Sequence, residues 1–274
     1  MTSVLILLFA PLALYLFLLM PRMGRRPDHS ALLGRYYAHR GLHDNAAGIP
    51  ENSMAAFRKA IEHGYGMEMD VQLTRDGVPV VFHDAALQRV CGGEGQVVDY
   101  TYEELQQFSL FGTEERIPRF EDFLALVDAQ VPLIIEIKAH GDFAAVCAAI
   151  EPMLLAYKGA YCVESFHPMA VRWYKKHRPQ AIRGQLSTNY NKPGKRETPA
   201  QWAAHQLLVN VLSRPDFVAY DVRYFRNISF RLCKMLFRPL TVAWTVKSQE
   251  QLDECRSAYD LFIFEGFKIG RAHV

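Results

Sequence analysis

From Tyr36 onward the chain repeats one pattern: a short apolar run, a polar break, then an amphipathic segment. The apolar runs are "YYAHRG", "GMEMDVQLT", "VPVVFHD", "PLIIEIK", "AYCVESF", "AIRGQLS", "FVAYDV", "TVAWTV" and "LFIFEGF". Strands that alternate with helical segments indicate a parallel sheet, because parallel neighbours need a crossover connection. The set is one run longer than a closed eight-stranded barrel requires. Asp76-Gly77 accounts for the surplus, since Asp-Gly between two apolar runs is a strong hairpin signal. "VPVVFHD" is therefore expected to fold back antiparallel on "GMEMDVQLT", and the remaining runs to close a TIM (β/α)8 barrel.

The intervening segments read as helices. "NSMAAFRKAIEHG" has an Asn/Ser cap and a Gly stop, and Thr101 with Glu104 forms a capping box ahead of "YEELQQF". "PAQWAAHQLLVNVL" reads as one helix, and "STNYNKPGKRETP" as the longest loop. Half the residues are hydrophobic, which suffices for a large core, and the formal charge of +2 lacks the basic field of a nucleic-acid binder. The five cysteines are odd in number and form no Cys-x-x-Cys pair. A disulfide framework or a thiolate zinc site is therefore not expected, and a reducing compartment fits better.

The N-terminus differs from the rest. "MTSVLILLFAPLALYLFLLM" has no charged side chain and is about as long as a bilayer-spanning helix. Arg22, Arg25 and Arg26 follow it, whereas a secretory signal carries its charge first. The expectation is an uncleaved single-pass anchor over 1–22, a basic linker over 23–33 and a barrel domain over 34–270. Positive flanking charge would place that domain in the cytoplasm, with the lipid bilayer as a partner.

Several polar residues stand where apolar ones would suffice. If Asp76 and Gly77 form a two-residue turn, Arg75 pairs with Val78 and Asp70 lies opposite His83. Glu68 and Asp70 share a strand face by alternation, as do Glu136 and Lys138 in "PLIIEIK". Carboxylates crowded on a buried face are costly unless a cation lies between them, and a divalent metal with oxygen ligands fits that role. The competing structural readings are a solvated strand face for the first pair and a Lys-Glu ion pair for the second. His39 and His83 end two strands, and two imidazoles beside such a cluster suit acid–base cleavage of a phosphate ester. Arg40 would neutralise phosphate oxygens. Glu51 and Asn52 precede a helix, where Asn52 could hold an anion or simply cap the helix.

The motifs "AHRG", "PENS", "MEMDVQLTRDGVPVVFHD", "IIEIK", "ESF" and "AWTV" occur in this order. Over about Leu33 to Phe267 the chain resembles the glycerophosphodiester phosphodiesterase family. The resemblance implies a TIM barrel with a small insertion after the second strand, here "HDAALQRVCGGEGQVVDYTYEELQQFSL". It implies hydrolysis of glycerophosphodiesters to sn-glycerol 3-phosphate and an alcohol, with Mg2+ or Ca2+. It further implies His39 and His83 as the acid/base pair and Glu68, Asp70 and Glu136 as metal ligands, with Glu51 as a further candidate. Arg40 and Lys138 would meet the phosphate and Trp244 the glycerol. Lys247 stands where the family usually has Asn. Phe264-Glu265-Gly266 stands where Thr-Asp is common, and "PENS" replaces a commoner Pro-Glu-Asn-Thr. An anchor would favour a lysophospholipid substrate and release of lysophosphatidic acid. "ISFRLCKMLFRPL" reads either as a basic lipid-facing helix or as an ordinary outer barrel helix. An inactive binding barrel is the alternative from another class. Attack by water and attack by a glycerol hydroxyl are both compatible with these residues.

Overall fold

The structure is a computed structural model that describes residues 2–267 and 269, with side chains from residue 9 onward. Its strands are β1 (Tyr36–His39), β2 (Gly66–Leu73), β3 (Pro79–Val81), β4 (Leu133–Ile137), β5 (Tyr161–Ser165), β6 (Arg183–Ser187), β7 (Phe217–Asp221), β8 (Leu240–Val246) and β9 (Leu261–Phe264). All lie in one sheet in the order β1-β9-β8-β7-β6-β5-β4-β2-β3, and β1 also pairs with β2. That last pairing closes a barrel of parallel strands, with β3 as an antiparallel appendage. The helices are α1 (Thr2–Leu19), α2 (Met54–Glu62), α3 (Gln88–Cys91), α4 (Tyr102–Leu105), α5 (Phe120–Val127), α6 (Phe143–Ala156), α7 (Pro168–His177), α8 (Pro199–His205), α9 (Asn210–Ser213), α10 (Ile228–Phe237) and α11 (Gln249–Cys255). The stretch expected as one helix from Pro199 is thus broken into α8 and α9. Leu207, between them, has φ of 58°, which no α-helix continues.

The role of β3 follows from where β1 stops. β1 pairs with β2 only as far as His39 opposite Glu68, which would leave the far half of β2 with an open edge. β3 covers it, with Val71 opposite Val81 and Leu73 opposite Pro79. This register is one residue off the expected one. The turn holds three residues, Arg75 to Gly77, because Thr74 pairs with Val78: Thr74 N–H donates to Val78 O at 3.1 Å and Val78 N–H to Thr74 Oγ1 at 2.9 Å. Gly77 takes φ of 78°, as a three-residue hairpin ending in a glycine bulge requires. Phe82, not His83, therefore lies opposite Asp70. Phe82 N–H donates to Asp70 O at 3.1 Å, and His83 lies beyond the strand.

Alternation along each strand divides the core in two. Tyr37, Ile134, Cys162, Leu186, Phe217, Ala219, Leu240, Val242, Leu261 and Ile263 pack together inside the barrel. Their strand neighbours face outward and form a larger core with the helices. The insertion after β3 has its own small core around Phe82, Leu87, Val90 and Leu105. Two glycines make the interior layer possible. A Cβ at Gly66 would lie 2.7 Å from the Tyr37 ring, and one at Gly184 2.0 Å from the Phe217 ring.

The N-terminal expectation is corrected. Among the described residues, no helix is long and apolar enough to cross a membrane. A membrane-anchored, single-pass location and the bilayer partner are therefore not supported. The last turns of α1 dock on the barrel instead. Tyr15 Oη lies 2.8 Å from Ser229 Oγ, Asn210 Nδ2 donates to Leu19 O at 2.9 Å, and Arg214 donates to Met20 O at 2.6 Å. Carbonyls left open at a helix end thus find barrel donors. Two of the flanking arginines have structural partners too. Arg22 donates to Pro179 O and pairs with Asp216, while Arg26 donates to Phe237 O and Arg238 O at the end of α10. α10 is an outer barrel helix, burying Phe230 and Cys233. The expected barrel limit at 270 lies outside the described residues.

The close approach at Gly184 yields a test. Gly184→Ala should lower the unfolding free energy by about 1–3 kcal/mol through overpacking. Adding Phe217→Leu to that variant should recover part of the loss. Denaturant unfolding checks this; an unchanged midpoint in Gly184→Ala would show that the interior layer has slack.

Candidate active site

The same alternation that packs the lower barrel with apolar side chains brings polar ones to its upper end. In β2, Gly66 is followed on the inward face by Glu68 and Asp70; in β4, Ile134 is followed by Glu136, and Lys138 comes just past the strand's end. Glu68, Asp70 and Glu136 each offer a carboxylate oxygen within 4.8 Å of the others, and all three are buried. Lys138 lies between two of them, with Nζ 2.9 Å from Asp70 Oδ1 and 2.7 Å from Glu136 Oε1. Arg40 Nε approaches Asp70 Oδ2 at 3.5 Å, and Arg40 N–H donates to Glu68 Oε2 at 3.1 Å. Asn52 Nδ2 donates to Asp70 Oδ2 at 2.8 Å. The backbone supports this: Arg40 and Asn52 both have positive φ, and Asn52 N–H donates to Arg40 O at 2.9 Å. Asparagine tolerates that region well; arginine does so at some cost.

The carboxyl groups of the cluster titrate in opposite directions. Burial opposes ionisation of Asp70, but Lys138, His83 and Arg40 outweigh it and hold the carboxyl well below its usual range. Burial, Asp70 and Glu136 push Glu68 well above its own. Burial also raises Glu136, against Lys138. A fourth inward carboxyl, Glu164 on β5, is raised well above its usual value by burial and by Glu136, and its Oε2 has no partner among the described residues. Two cations thus face four carboxyl groups. A divalent cation with oxygen ligands would supply the missing charge, and Glu68, Asp70 and Glu136 are the residues placed to hold it.

Each histidine is held by a carboxylate. His39 Nδ1 lies 2.5 Å from Glu265 Oε2, and His83 Nδ1 2.5 Å from Asp84 Oδ1. Lys247 Nζ pairs with the other Glu265 oxygen at 2.5 Å. His39 Nε2 is 3.8 Å from Glu68 Oε2, so that ring spans from Glu265 to the carboxylate cluster. Burial lowers both imidazoles, His83 to about 4. A cavity of about 670 Å³ is lined by His39, Arg40, His83, Glu136, Trp244 and Lys247, among others. The indole of Trp244 packs edge-on against Phe166 at 5.2 Å, and its buried Nε1 has no partner among the described residues.

All the residues singled out from the sequence thus come to one mouth, but Glu51 sits differently from the others. It is not part of the carboxylate cluster. Arg40 Nη1 donates to its Oε1 at 2.6 Å, and Arg89 donates to both of its oxygens, at 2.7 and 3.0 Å. Arg89 also donates to Asp84 at 2.6 Å, so one guanidinium ties Glu51 to the carboxylate that holds His83. Asp84, Arg89, Glu164 and Glu265 were not read as site residues. Strand parity offered a signal for two: Glu265 follows Leu261 and Ile263 on the inward face, and Glu164 follows Cys162. Arg89 lies in the insertion, where no period guides a reading.

Glu51 gives a pH test. Burial raises its pKa, but Arg89 and Arg40 outweigh this and bring it from 4.5 to about 2. Its stabilisation is complete above the unfolded value and is lost as the pH falls through the folded one. The stability difference between wild type and Glu51→Gln should be constant down to about pH 5 and shrink between about pH 4.5 and 2. Urea unfolding across that range checks it; a difference that stays level would remove the ion pairs as its source.

A sequence model of the glycerophosphoryl diester phosphodiesterase family matches residues 39–216. The glycerophosphodiester phosphodiesterase of Caldanaerobacter subterraneus subsp. tengcongensis is 44% identical over 110 residues, which cover 37% of this chain and 44% of that protein. Glycerophosphodiester phosphodiesterase 1 of Rattus norvegicus is 31% identical over 134 residues, covering 45% and 39%. The chain thus spans less than half the length of these curated relatives. A phosphodiesterase of Oleispira antarctica, solved in complex with its product sn-glycerol-3-phosphate, superposes with a TM-score of 0.69 at 22% identity, over 85% of this chain and 93% of that one. The glycerophosphodiester phosphodiesterase of Thermotoga maritima gives 0.64 at 24% identity, over 84% and 93%. At such identities the two superpositions speak for the fold. The family match covers more than half of the chain, and it contains both histidines, Arg40, Lys138 and the carboxylate cluster: the chain belongs to the glycerophosphoryl diester phosphodiesterase family.

Proposed function

We propose that this chain hydrolyses glycerophosphodiesters to sn-glycerol 3-phosphate and an alcohol, by acid–base catalysis with His39 and His83 beside a divalent cation. One observation carries this reading. Two imidazoles in one cavity are each fixed at Nδ1 by a carboxylate 2.5 Å away, which leaves Nε2 as the working nitrogen of each ring. That arrangement suits a reaction in which one ring takes a proton from the attacking hydroxyl while the other gives one to the departing alkoxide. Burial shifts both rings toward the neutral form, and a phosphodiester beside them would favour the protonated form that the acid needs. Arg40 and Lys138 meet the phosphate oxygens, and Asn52 holds Asp70 in place through its amide. Trp244 offers an apolar face to the glycerol carbons and an open N–H to a hydroxyl.

Mg2+ or Ca2+, when bound by Glu68, Asp70 and Glu136, neutralises charge on the phosphoryl oxygens. Glu51 acts through Arg40 and Arg89 as a positioning residue. Glu265 orients His39, and Lys247 secures Glu265. The product held by the Oleispira antarctica phosphodiesterase is the one proposed here. The cavity has the size of a small-molecule site, which favours a soluble diester over a lysophospholipid. An inactive barrel would have no need to orient two rings by carboxylates.

The test is release of sn-glycerol 3-phosphate from glycerophosphocholine, with Mg2+, Ca2+ or EDTA, and of lysophosphatidic acid from lysophosphatidylcholine in parallel. Turnover of the soluble diester that EDTA abolishes is expected; turnover of neither substrate with any metal would move the inactive barrel to the front. His39→Ala and His83→Ala should each lower kcat by about 10²–10⁴-fold with the far-ultraviolet spectrum intact. Glu265→Gln should lower kcat and spare KM, since it changes the orientation of a ring and not substrate contact; a rise in KM alone would assign Glu265 to binding. A cyclic glycerophosphate among the products would identify a glycerol hydroxyl as the nucleophile in place of water.

A further inference from the structure

His43 is absorbed neither by the carboxylate cluster nor by the reaction proposed above. It follows β1 after Gly41, whose φ of 79° turns the chain back over the end of the strand. His43 N–H donates to Gly41 O at 2.9 Å, which fixes that turn. Its Nε2 lies 3.9 Å from Glu265 Oε2, the same oxygen that sits 2.5 Å from His39 Nδ1. His39, His43 and Glu265 each offer a ligand atom within 4.8 Å of the others. Lys247 takes Glu265 Oε1 and leaves Oε2 as the shared apex. The buried Nδ1 of His43 has no partner among the described residues. Ligand atoms on a tetrahedral zinc sit roughly 3.3 Å apart, between the two separations seen here.

We infer that His39, His43 and Glu265 form a second metal site, selective for zinc or a similar transition ion, and that its occupation shuts the enzyme off. The donor sets of the two neighbouring sites differ in kind. Glu68, Asp70 and Glu136 are hard oxygen ligands suited to Mg2+ or Ca2+, whereas two imidazoles and one carboxylate suit Zn2+. Three protein ligands leave the fourth position open to water or phosphate, as in exchangeable zinc sites. The protons balance. Neutral His39 donates Nδ1–H to Glu265; with zinc on Nδ1 that proton moves to Nε2, and none is released. His43 binds through Nε2 and keeps its proton on Nδ1. The cost falls on His39, whose Nε2 lone pair is then no longer available as a base. The inhibitory arm of this inference rests on the function proposed above; the binding arm does not.

The experiment titrates Zn2+ into the full chain against a chromophoric chelator, in excess Mg2+ so that the oxygen cluster is occupied. Wild type should bind one equivalent. His43→Ala should weaken that site at least about tenfold, since removing a ligand costs no less than removing a partner behind one, whereas Glu68→Gln should leave it within about threefold. Co2+ in place of Zn2+ should give visible absorption bands in wild type that His43→Ala loses. Zn2+ should inhibit release of sn-glycerol 3-phosphate with the same order of sensitivity, His43→Ala resisting. Equal zinc affinity in wild type and His43→Ala, or loss only in Glu68→Gln, would overturn the site. Activation by zinc, or zinc held through His43 without inhibition, would overturn its effect. An inactive protein that still binds zinc through His43 would separate failure of the proposed function from failure of this site.

Discussion

The ammonium of Lys138, wedged between Asp70 and Glu136, is the interaction on which the upper half of the barrel depends. That buried cation holds Asp70 well below the usual carboxylate range and works against the rise that burial imposes on Glu136. Burial lowers the Lys138 pKa, yet Asp70 and Glu136 outweigh it and raise it. Without that cation Arg40 alone would face the carboxyl groups on the inward faces of β2 and β4. With it, Asp70 is held low while Glu68 and Glu136 are raised, and Glu68, Asp70 and Glu136 remain the group that could hold a divalent ion.

The two histidines are oriented by equivalent contacts with unrelated origins. His83 is held by its own sequence neighbour, Asp84, which Arg89 from the insertion fixes in turn. His39 is held by Glu265, more than two hundred residues away, at the end of the last strand. β1 and β9 are adjacent because the barrel closes, with Ala38 opposite Phe264. The departures at Lys247 and Glu265 then read as one unit, a salt bridge at 2.5 Å that keeps a carboxylate against His39. Both lie beyond the residues matched by the family model, which ends at 216.

The N-terminal segment shows how an apolar run misleads when read alone. Hydropathy without charge is common to a bilayer span and to a helix whose last turns dock on a barrel. The arginines after it look like topogenic charge, yet Arg22 and Arg26 serve carbonyls at the ends of other elements. The distinction lies in partners such as Asn210 and Ser229, which are distant in sequence and carry no mark of the contact.

Periodicity and turn chemistry determined the architecture. The strand-helix alternation specified a parallel barrel, and Asp76-Gly77 marked the one antiparallel strand, because side-chain direction and backbone reach are local properties. Alternation also determined that Glu68 pairs with Asp70, and Glu136 with Lys138, on shared faces. The exact hairpin register needed tertiary structure, since Thr74 selects a three-residue turn through its hydroxyl. So did the assignment of Glu51 to two arginines, one of them in the insertion, and the clasp of Glu265 on His39. Those contacts join segments brought together only by barrel closure, and an interaction between distant residues leaves no period in a single sequence.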